Sequence, residues 1–385
     1  MRSPLSLIPH PDSFTSRLRG AEIASRVGLW LGVCFFVAFV TGLISHAAQD
    51  QPGWLTFPTR PVSLYRITQG VHVISGTAAV PLLLVKLWSV LPKLFDRFDF
   101  HNIRRLALQL AERLSIALLV SAAIFQLVTG LANSAQWYPW AFSFRSTHYA
   151  VAWIAIGALI LHIAVKLPVI RQALGGPLDD DVARTGEQGL SRRGFLRTTW
   201  VATGVAVLTT AGATVPWLRD ISIFGVRSGD GPAGIPINVS AAAARVVPAA
   251  TDPAYRLEIV NGDKQVMLTR ADLGAMEQTK AVLPIACVEG WSASGEWAGV
   301  LVRDLLALVE AAEDADVEIT SLQKRGTFRQ TTMPAHFAQD SLTLLALELN
   351  GEGLSIDHGH PCRIIAPNRP GVLQTKWVAR IQVLA

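Results

Sequence analysis

The sequence predicts an α-helical membrane four-helix bundle with an additional membrane anchor helix, followed by a soluble α+β domain. Three observations lead there. Only 16% of the 385 residues are charged and half are hydrophobic, against about 25% charged in ordinary soluble domains. Four stretches before residue 170, roughly 27–46, 68–90, 113–133 and 147–167, are apolar and long enough for the ~20 residues that cross a bilayer. From about residue 220 onward, charges recur every few residues among turn signals and short apolar runs.

The first stretch, Val27 to His46, contains no charge. The second contains Pro81 and Lys86, both tolerable in a packed bundle or near an interface. A fifth apolar stretch, Thr198 to Leu218, follows a polar segment. The expected domains are a bundle over 1–170, a cytoplasmic linker over 171–197, an anchor helix over 198–218 and a soluble domain over 219–385. Within the last, Asn261-Gly262-Asp263 lies between Tyr255–Val260 and Gln265–Leu268 and predicts a hairpin turn. Leu301, Leu305 and Val309 recur at helical spacing. No internal repeat and no low-complexity tract is evident.

Basic residues set the orientation. The 91–106 connection holds Lys93, Arg97, Arg104 and Arg105, and the 166–197 connection holds Lys166, Arg171, Arg184, Arg192, Arg193 and Arg197. The 134–146 loop holds only Arg145, and the 47–66 loop only Arg60 and Arg66. The positive-inside rule then puts the N-terminus and both basic connections in the cytoplasm, and with five spans the C-terminal domain outside. The net charge of +5 is modest once these loops are placed, so no nucleic-acid partner is expected. Three cysteines, Cys34, Cys287 and Cys362, are too few for a disulfide framework; at most one bridge, Cys287 to Cys362, is conceivable.

Ser191-Arg192-Arg193-Gly194-Phe195-Leu196-Arg197 precedes the fifth stretch and resembles the twin-arginine export motif. Such a motif implies a bacterial inner membrane and a domain that crosses already folded, as a cofactor inserted in the cytoplasm requires. The alternative is a basic flank of an ordinary membrane helix. Ala211-Gly212-Ala213 has the small residues of a cleavage site. The apolar run continues to Leu218, which favours an uncleaved anchor.

His148 and His162 both lie in the fourth span. Their spacing returns within about 40° of whole turns and separates them by ~21 Å along the axis, one near each membrane surface. Histidine inside a span is costly, and bis-histidine haem ligation needs a partner on a facing helix at the same depth. His72, at the outer start of the second span, is that partner for His148. His162 requires one at the inner start of the first span. Arg26-Val27-Gly28-Leu29-Trp30, Phe35-Phe36 and Thr41-Gly42-Leu43 resemble the first helix of the cytochrome b subunits of membrane formate dehydrogenases and hydrogenases. The resemblance covers 20–168 and implies haem b, held by His72 and His148, with His162 as a ligand of a possible second haem. That family has histidine immediately before the tryptophan, where this chain has Leu29. His46, at the outer end of the first span, is an alternative outer ligand. The other reading of these histidines is packing by hydrogen bonds between helices.

Ile285-Ala286-Cys287-Val288-Glu289-Gly290-Trp291-Ser292, followed by Trp297-Ala298-Gly299-Val300, resembles the molybdenum-ligand segment of the sulfite oxidase family, which includes the periplasmic methionine-sulfoxide reductase. Further matches follow in order: Leu344-Leu345-Ala346, Leu349-Asn350-Gly351-Glu352, His358-Gly359-His360-Pro361, Arg363, Pro367 and Lys376-Trp377-Val378. The resemblance spans 282–384 and implies a sulfite-oxidase-type fold. Cys287 matches the cysteine whose thiolate binds molybdenum, making it the catalytic centre; a soft thiolate suits that metal. Arg363 and Lys376, with Arg369 third, are the implied cations for the molybdopterin phosphate, and His358 and His360 are implied pterin-site residues. On spacing alone these two histidines also read as metal ligands. Arg325 or Arg329 faces an oxyanion substrate by charge and position. Cys362 departs from the family, which carries an aliphatic residue there, and its rival role is the disulfide with Cys287. His336 has no assignable role.

Together these readings imply oxygen-atom transfer on a small oxyanion or sulfoxide-type substrate, with electrons exchanged through haem b with membrane quinone or quinol. The direction of transfer stays open. The alternatives are a haem-b electron-transfer protein with a non-catalytic extracytoplasmic domain, and a membrane protein without either cofactor.

Overall fold

The structure, a computed structural model, describes residues 14, 16–95, 98–176, 190–225 and 231–384. The chain divides into two compact units: residues through Gly42 with Val71–Ala211, and Leu43–Gly70 with Gly212–Ala385. Sequence alone assigned the 43–70 segment wholly to the bundle. Here it belongs to the C-terminal unit, for reasons given below. Arg97, Arg184 and residues 177–189 of the expected linker lie outside the described residues.

The first unit is built from helices. These are α1 (Ala21–Gln49), α2 (Leu64–Val90), α3 (Ile103–Ser134), α4 (Phe144–Gly175) and α5 (Arg192–Thr210). Among the described residues the first four are long and apolar enough to cross a membrane. Pro81 and Pro168 sit inside α2 and α4, as membrane helices tolerate when neighbours satisfy the freed backbone groups. Asn102 caps α3 by accepting from the Arg105 backbone N–H, which satisfies one of the orphan donors of a first turn.

The fifth helix starts at the arginine pair, not at Thr198, and stops at Thr210. The Ser191 hydroxyl caps it by accepting from Gly194 N at 2.9 Å. Past Thr210 the chain tightens into 3-10 turns at Ala211–Ala213 and Pro216–Ile221, because Pro216 brings no N–H to continue a helix. The expected 198–218 anchor is therefore a shorter helix followed by turns. It packs within the first unit. Trp200 meets Trp30 edge-on at 5.2 Å, Phe195 lies 5.5 Å from Trp88, and Phe195 and Leu196 pack against Ile23, Val27 and Leu82.

Among the described residues the second unit carries ten short strands: β1 (Leu257–Asn261), β2 (Lys264–Leu268), β3 (Thr279–Ala286), β4 (Ser292–Leu301), β5 (Val317–Ser321), β6 (Gln330–Met333), β7 (Leu344–Leu349), β8 (Glu352–Gly353), β9 (Arg363–Ile365) and β10 (Val378–Val383). One sheet has the order β2-β1-β10-β5-β6, with β1 and β10 parallel. The other has β3-β4-β7-β8, with β9 added to β7. The hairpin forms as its sequence predicts, with Asn261 opposite Lys264 and Gly262 at φ +56°, a value that suits glycine in a two-residue turn. The predicted helix near Leu301 runs Val302–Ala307.

Alternation along β7 explains the core. Leu345 and Leu347 pack with Leu257, Ile259, Ile319 and Ile381 from the other sheet. Leu344 and Ala346 pack on the opposite face with Leu283, Ile285, Trp297 and Cys287. A strand buried on both faces reads as a continuous apolar run, and Leu344–Ala346 is one. Gly299 lets β4 cross β7 closely: a Cβ there would lie 2.1 Å from the Leu345 carbonyl oxygen.

The 43–70 segment is stitched to this unit by polar contacts. Asn368 accepts from the Tyr65 N–H at 2.6 Å and donates to the Pro58 carbonyl at 2.6 Å. Arg60 pairs with Asp340 at 2.9 Å, Arg66 donates to the Ser294 hydroxyl at 2.8 Å, and His336 Nε2 donates to the Phe57 carbonyl at 2.8 Å. That last contact gives His336 a structural role. Ala286, beside Cys287, packs with Ala48, Phe57 and Tyr65.

Candidate active site

Cys287 follows the last residue of β3, in the connection that turns into β4. Its N–H donates to the Trp291 carbonyl at 2.9 Å, and its carbonyl accepts from Gly290 N at 3.0 Å. Gly290 takes φ +88°, which closes the turn without a Cβ penalty. The Thr214 hydroxyl donates to the Gly290 carbonyl. The turn thus fixes the thiol on the wall of a cavity of about 700 Å³, within the usual size range for ligand sites of roughly 300–1,000 Å³.

Of the sequence-predicted residues, Cys287, His358, Arg363, Lys376 and Arg325 line this cavity. Arg363 is 2% exposed. Its guanidinium donates to the carbonyls of His358 (3.0 Å) and Gln374 (3.2 Å) and lies 5.1 Å from the Trp297 ring centre, and it has no carboxylate partner among the described residues. Burial pulls it down to about 9. A buried cation without a counter-charge is costly, so the site suits an anion. Lys376 is bridged to Arg363 on a neighbouring strand. Its ammonium donates to the carbonyls of Val239 (2.5 Å) and Asp357 (3.0 Å). Burial first, then the Arg363 charge, lowers it to about 7.

His358 is a neutral spacer. Its Nε2 donates to the Ile235 carbonyl at 3.0 Å, and its Nδ1 accepts from the Ser355 hydroxyl at 3.0 Å. Burial, then Arg363, lowers it to about 4. With both ring nitrogens engaged, the metal-ligand reading of His358 falls. His360 does not line the cavity. Arg369 does not either: it is 4% exposed and donates to the carbonyls of Leu373 (3.1 Å) and Thr332 (2.7 Å). Arg329 is also outside the lining. The structure therefore separates Arg369 and His360 from the group with which their sequence neighbours placed them.

Cys287 and Cys362 form no disulfide. Cys362 is fully buried in the core between the sheets. Its thiol lies 3.2 Å from the Tyr255 hydroxyl, and burial pushes it up to about 12, which makes it an inert packing residue. Sequence reasoning missed Glu289, Arg245, Lys324 and Trp377, which also line the cavity. Glu289 stands two residues past Cys287 and accepts from Trp291 Nε1 at 3.1 Å. Arg245 and Trp377 take φ of +57° and +54°, conformations uncommon for such residues and frequent at ligand sites.

Residues 244–385 match the family described as "Oxidoreductase molybdopterin binding domain". The C-terminal part of this chain is such a domain. Human mitochondrial sulfite oxidase is 32% identical over 115 residues, covering 28% of this chain and 21% of that protein. YedZ1 of Azospira oryzae, named as a subunit of a protein-methionine-sulfoxide reductase, is 31% identical over 131 residues, 34% of this chain and 48% of that one. The oxidoreductase YuiH of Bacillus subtilis is 30% identical over 121 residues, 31% of this chain and 60% of that one. The chain thus spans between about a fifth and three-fifths of these relatives' lengths. The crystal structure of the sulfane dehydrogenase SoxCD from Paracoccus pantotrophus aligns over 34% of this chain and 38% of that one, with 25% identity and a TM-score of 0.31.

The first unit brings a second predicted pair together. The rings of His72 on α2 and His148 on α4 lie 6.4 Å apart, centre to centre. A metal about 2 Å from an imidazole nitrogen on each side requires close to this separation. The Nδ1 of His72 faces the Ala38 carbonyl at 2.8 Å and the Thr41 hydroxyl at 3.3 Å; that of His148 faces the Thr129 hydroxyl at 3.0 Å. Neither Nε2 is engaged among the described residues. His162 makes no ring contact with another histidine among the described residues. The charged groups around it are Lys86, Lys166 and Glu112. Lys86 donates to the Ala24 carbonyl at 2.7 Å and lies against Gly28, the neighbour of Leu29.

Proposed function

We propose that this chain is an integral membrane oxidoreductase that transfers an oxygen atom to or from a small oxyanion or sulfoxide-type substrate and exchanges electrons with membrane quinone. The observation that carries the reading is one cavity lined by the Cys287 thiol and by the buried Arg363, which has no carboxylate partner. Cys287 fits a molybdenum ligand, and Arg363 with Lys376 fits the phosphate of molybdopterin. Bound there, the cofactor would supply two-electron oxygen-atom chemistry. The chain's own contribution is a fixed thiolate, two cations that orient an anion, and a neutral His358 that adds no competing charge.

His72 and His148 would hold one haem b, which would supply one-electron transfer. The second haem is not part of this reading, since His162 is surrounded by Lys86, Lys166 and Glu112. Four apolar helices support membrane insertion. The loop charges support a cytoplasmic N-terminus and an extracytoplasmic C-terminal domain in a bacterial inner membrane. Arg192 and Arg193 open α5, where cations oppose the helix dipole. Their position therefore favours a role other than helix stability, and the twin-arginine export motif supplies one. The packing of Phe195, Leu196 and Trp200 favours an uncleaved α5.

The test is metal and pigment content of the purified membrane protein from a host that makes the cofactor. Equimolar molybdenum and b-type haem is the expected result. Haem without molybdenum leaves an electron-transfer cytochrome with a non-catalytic domain. Neither ends the redox reading, and two haems per chain would overturn the ligand assignment.

A further inference from the structure

The two histidines are seated by matching residues on the helices that precede theirs. Val40-Thr41-Gly42-Leu43 on α1 and Val128-Thr129-Gly130-Leu131 on α3 share four consecutive residues, an internal repeat that inspection of the sequence overlooked. Thr41 faces His72 on α2, and Thr129 faces His148 on α4. Each threonine hydroxyl donates to a carbonyl of its own helix, Val37 and Phe125 respectively, both at 2.7 Å. Its lone pairs are thereby turned to accept from the imidazole Nδ1–H. The glycines complete the pattern. A Cβ on Gly42 would lie 3.2 Å from Cε1 of His72, and one on Gly130 would lie 3.7 Å from Cε1 of His148. On Gly42 the Cβ would also lie 3.4 Å from Nδ1, so the glycine leaves room for the Nδ1–Cε1 edge of His72 against α1; at Gly130 the approach is an ordinary contact.

We infer that Thr41-Gly42 and Thr129-Gly130 are two copies of one histidine-seating device, in which the threonine fixes the Nε2-coordinating tautomer and the glycine makes room for the ring beside its helix. The inference rests on the haem reading above. Hydrogen bonding to the outer nitrogen of a ligating imidazole orients the ring and raises its basicity, and such bonds are one of the levers on haem potential. The two copies differ in one respect. His72 Nδ1 also reaches the Ala38 carbonyl at 2.8 Å, whereas among the described residues His148 Nδ1 has only Thr129. Thr129 therefore carries more of the effect than Thr41. Both are positioning residues.

The experiment is a redox titration with low-temperature electron paramagnetic resonance on the full chain. It compares the wild type with Thr129→Val, Thr129→Ser and Thr41→Val. The expected result is retained haem in Thr129→Val, with an upward shift in midpoint potential and altered g-values. Thr129→Ser should return both toward wild type, and Thr41→Val should shift less. A Thr129→Val protein with haem and an unchanged potential overturns the inference while leaving the haem reading intact. If Thr129→Val does not accumulate, Gly42→Ala decides: altered g-values support the device, and unaltered g-values overturn it. A wild-type chain with no b-type spectrum removes the haem reading itself.

Discussion

The side chain of Asn368 accepts a 2.6 Å hydrogen bond from the backbone N–H of Tyr65, a residue 303 positions earlier in the chain. The same amide donates to Pro58, and the Asn368 N–H donates to the Val62 carbonyl. Asn368 sits at φ +53° and is 2% exposed. Asn368→Ala strands the Tyr65 donor and the Pro58 acceptor, at about 1–3 kcal/mol for each buried group left unsatisfied. Thermal unfolding should show that loss, and Asn368→Gly, which keeps the backbone angle but not the bonds, should not recover it.

Cys287→Ser should fold, because the thiol occupies a small wall position that a hydroxyl fills. Molybdenum content and substrate turnover should both fall at least about a hundredfold, the scale of losing a ligand or its support. Elemental analysis with a matched unfolding curve separates the two effects. A serine protein with full molybdenum and full turnover would refute the ligand role.

Arg363→Met should behave in opposite ways with and without the cofactor. Replacing a buried charge by a hydrophobe of similar volume is often neutral or stabilising by about 1–4 kcal/mol. Cofactor-free Arg363→Met should therefore melt no lower than wild type, yet retain much less molybdopterin. Equal cofactor retention in the two proteins would count against Arg363 as the phosphate residue.

Lys376 sets a pH dependence. Burial and then Arg363 lower it from 10.5 to about 7, so between those values the unfolded chain binds the proton that the folded chain has released. Stability of the cofactor-free protein therefore rises with pH from about 7 toward about 10.5. An anionic ligand restores the charge, takes up a proton in that window, and is held less tightly as pH rises. Melting temperature should climb from pH 7 to 9 while cofactor release quickens, and Lys376→Arg should flatten both trends. Release from wild type that ignores pH would remove Lys376 from the site.

Gly299→Ala puts a methyl group 2.1 Å from the Leu345 carbonyl oxygen. The β4–β7 pairing must open or shift, at the roughly 1–3 kcal/mol or more of an overpacked core. A melting temperature equal to that of wild type would contradict the close crossing.

Much of this was legible in the sequence because it depends on local pattern. Apolar length gave α1 to α4, Gly262 gave the hairpin, and the flanks of Cys287 gave the cavity wall. Matching depth at the outer starts of the second and fourth spans paired His72 with His148. What was not legible depends on contacts distant in sequence. Arg369 stands six residues from Arg363, yet β9 carries one guanidinium to the cavity while the chain beyond it turns the other toward Thr332. His336 and Asn368 find their partners in a loop between apolar helices, and no local signal ties that loop to a later domain. The shared Val-Thr-Gly-Leu of α1 and α3 was readable. It is four residues long in helices of similar composition, and only the contacts to Nδ1 give it meaning.

The contribution of residues 43–70 to the C-terminal unit bears on how this protein can be made or divided. Its C-terminal unit is discontinuous in sequence, with the 43–70 part separated from the part that begins at Gly212 by the helices of the first unit. Ribosomes release the Pro58–Tyr65 edge about 300 residues before Asn368 exists to receive it, so the seam cannot close until that later residue has been made. A split of the coding sequence in the linker would give the downstream product a complete set of strands but an unclosed seam beside Cys287. Any natural or engineered two-subunit version must return that peptide in trans.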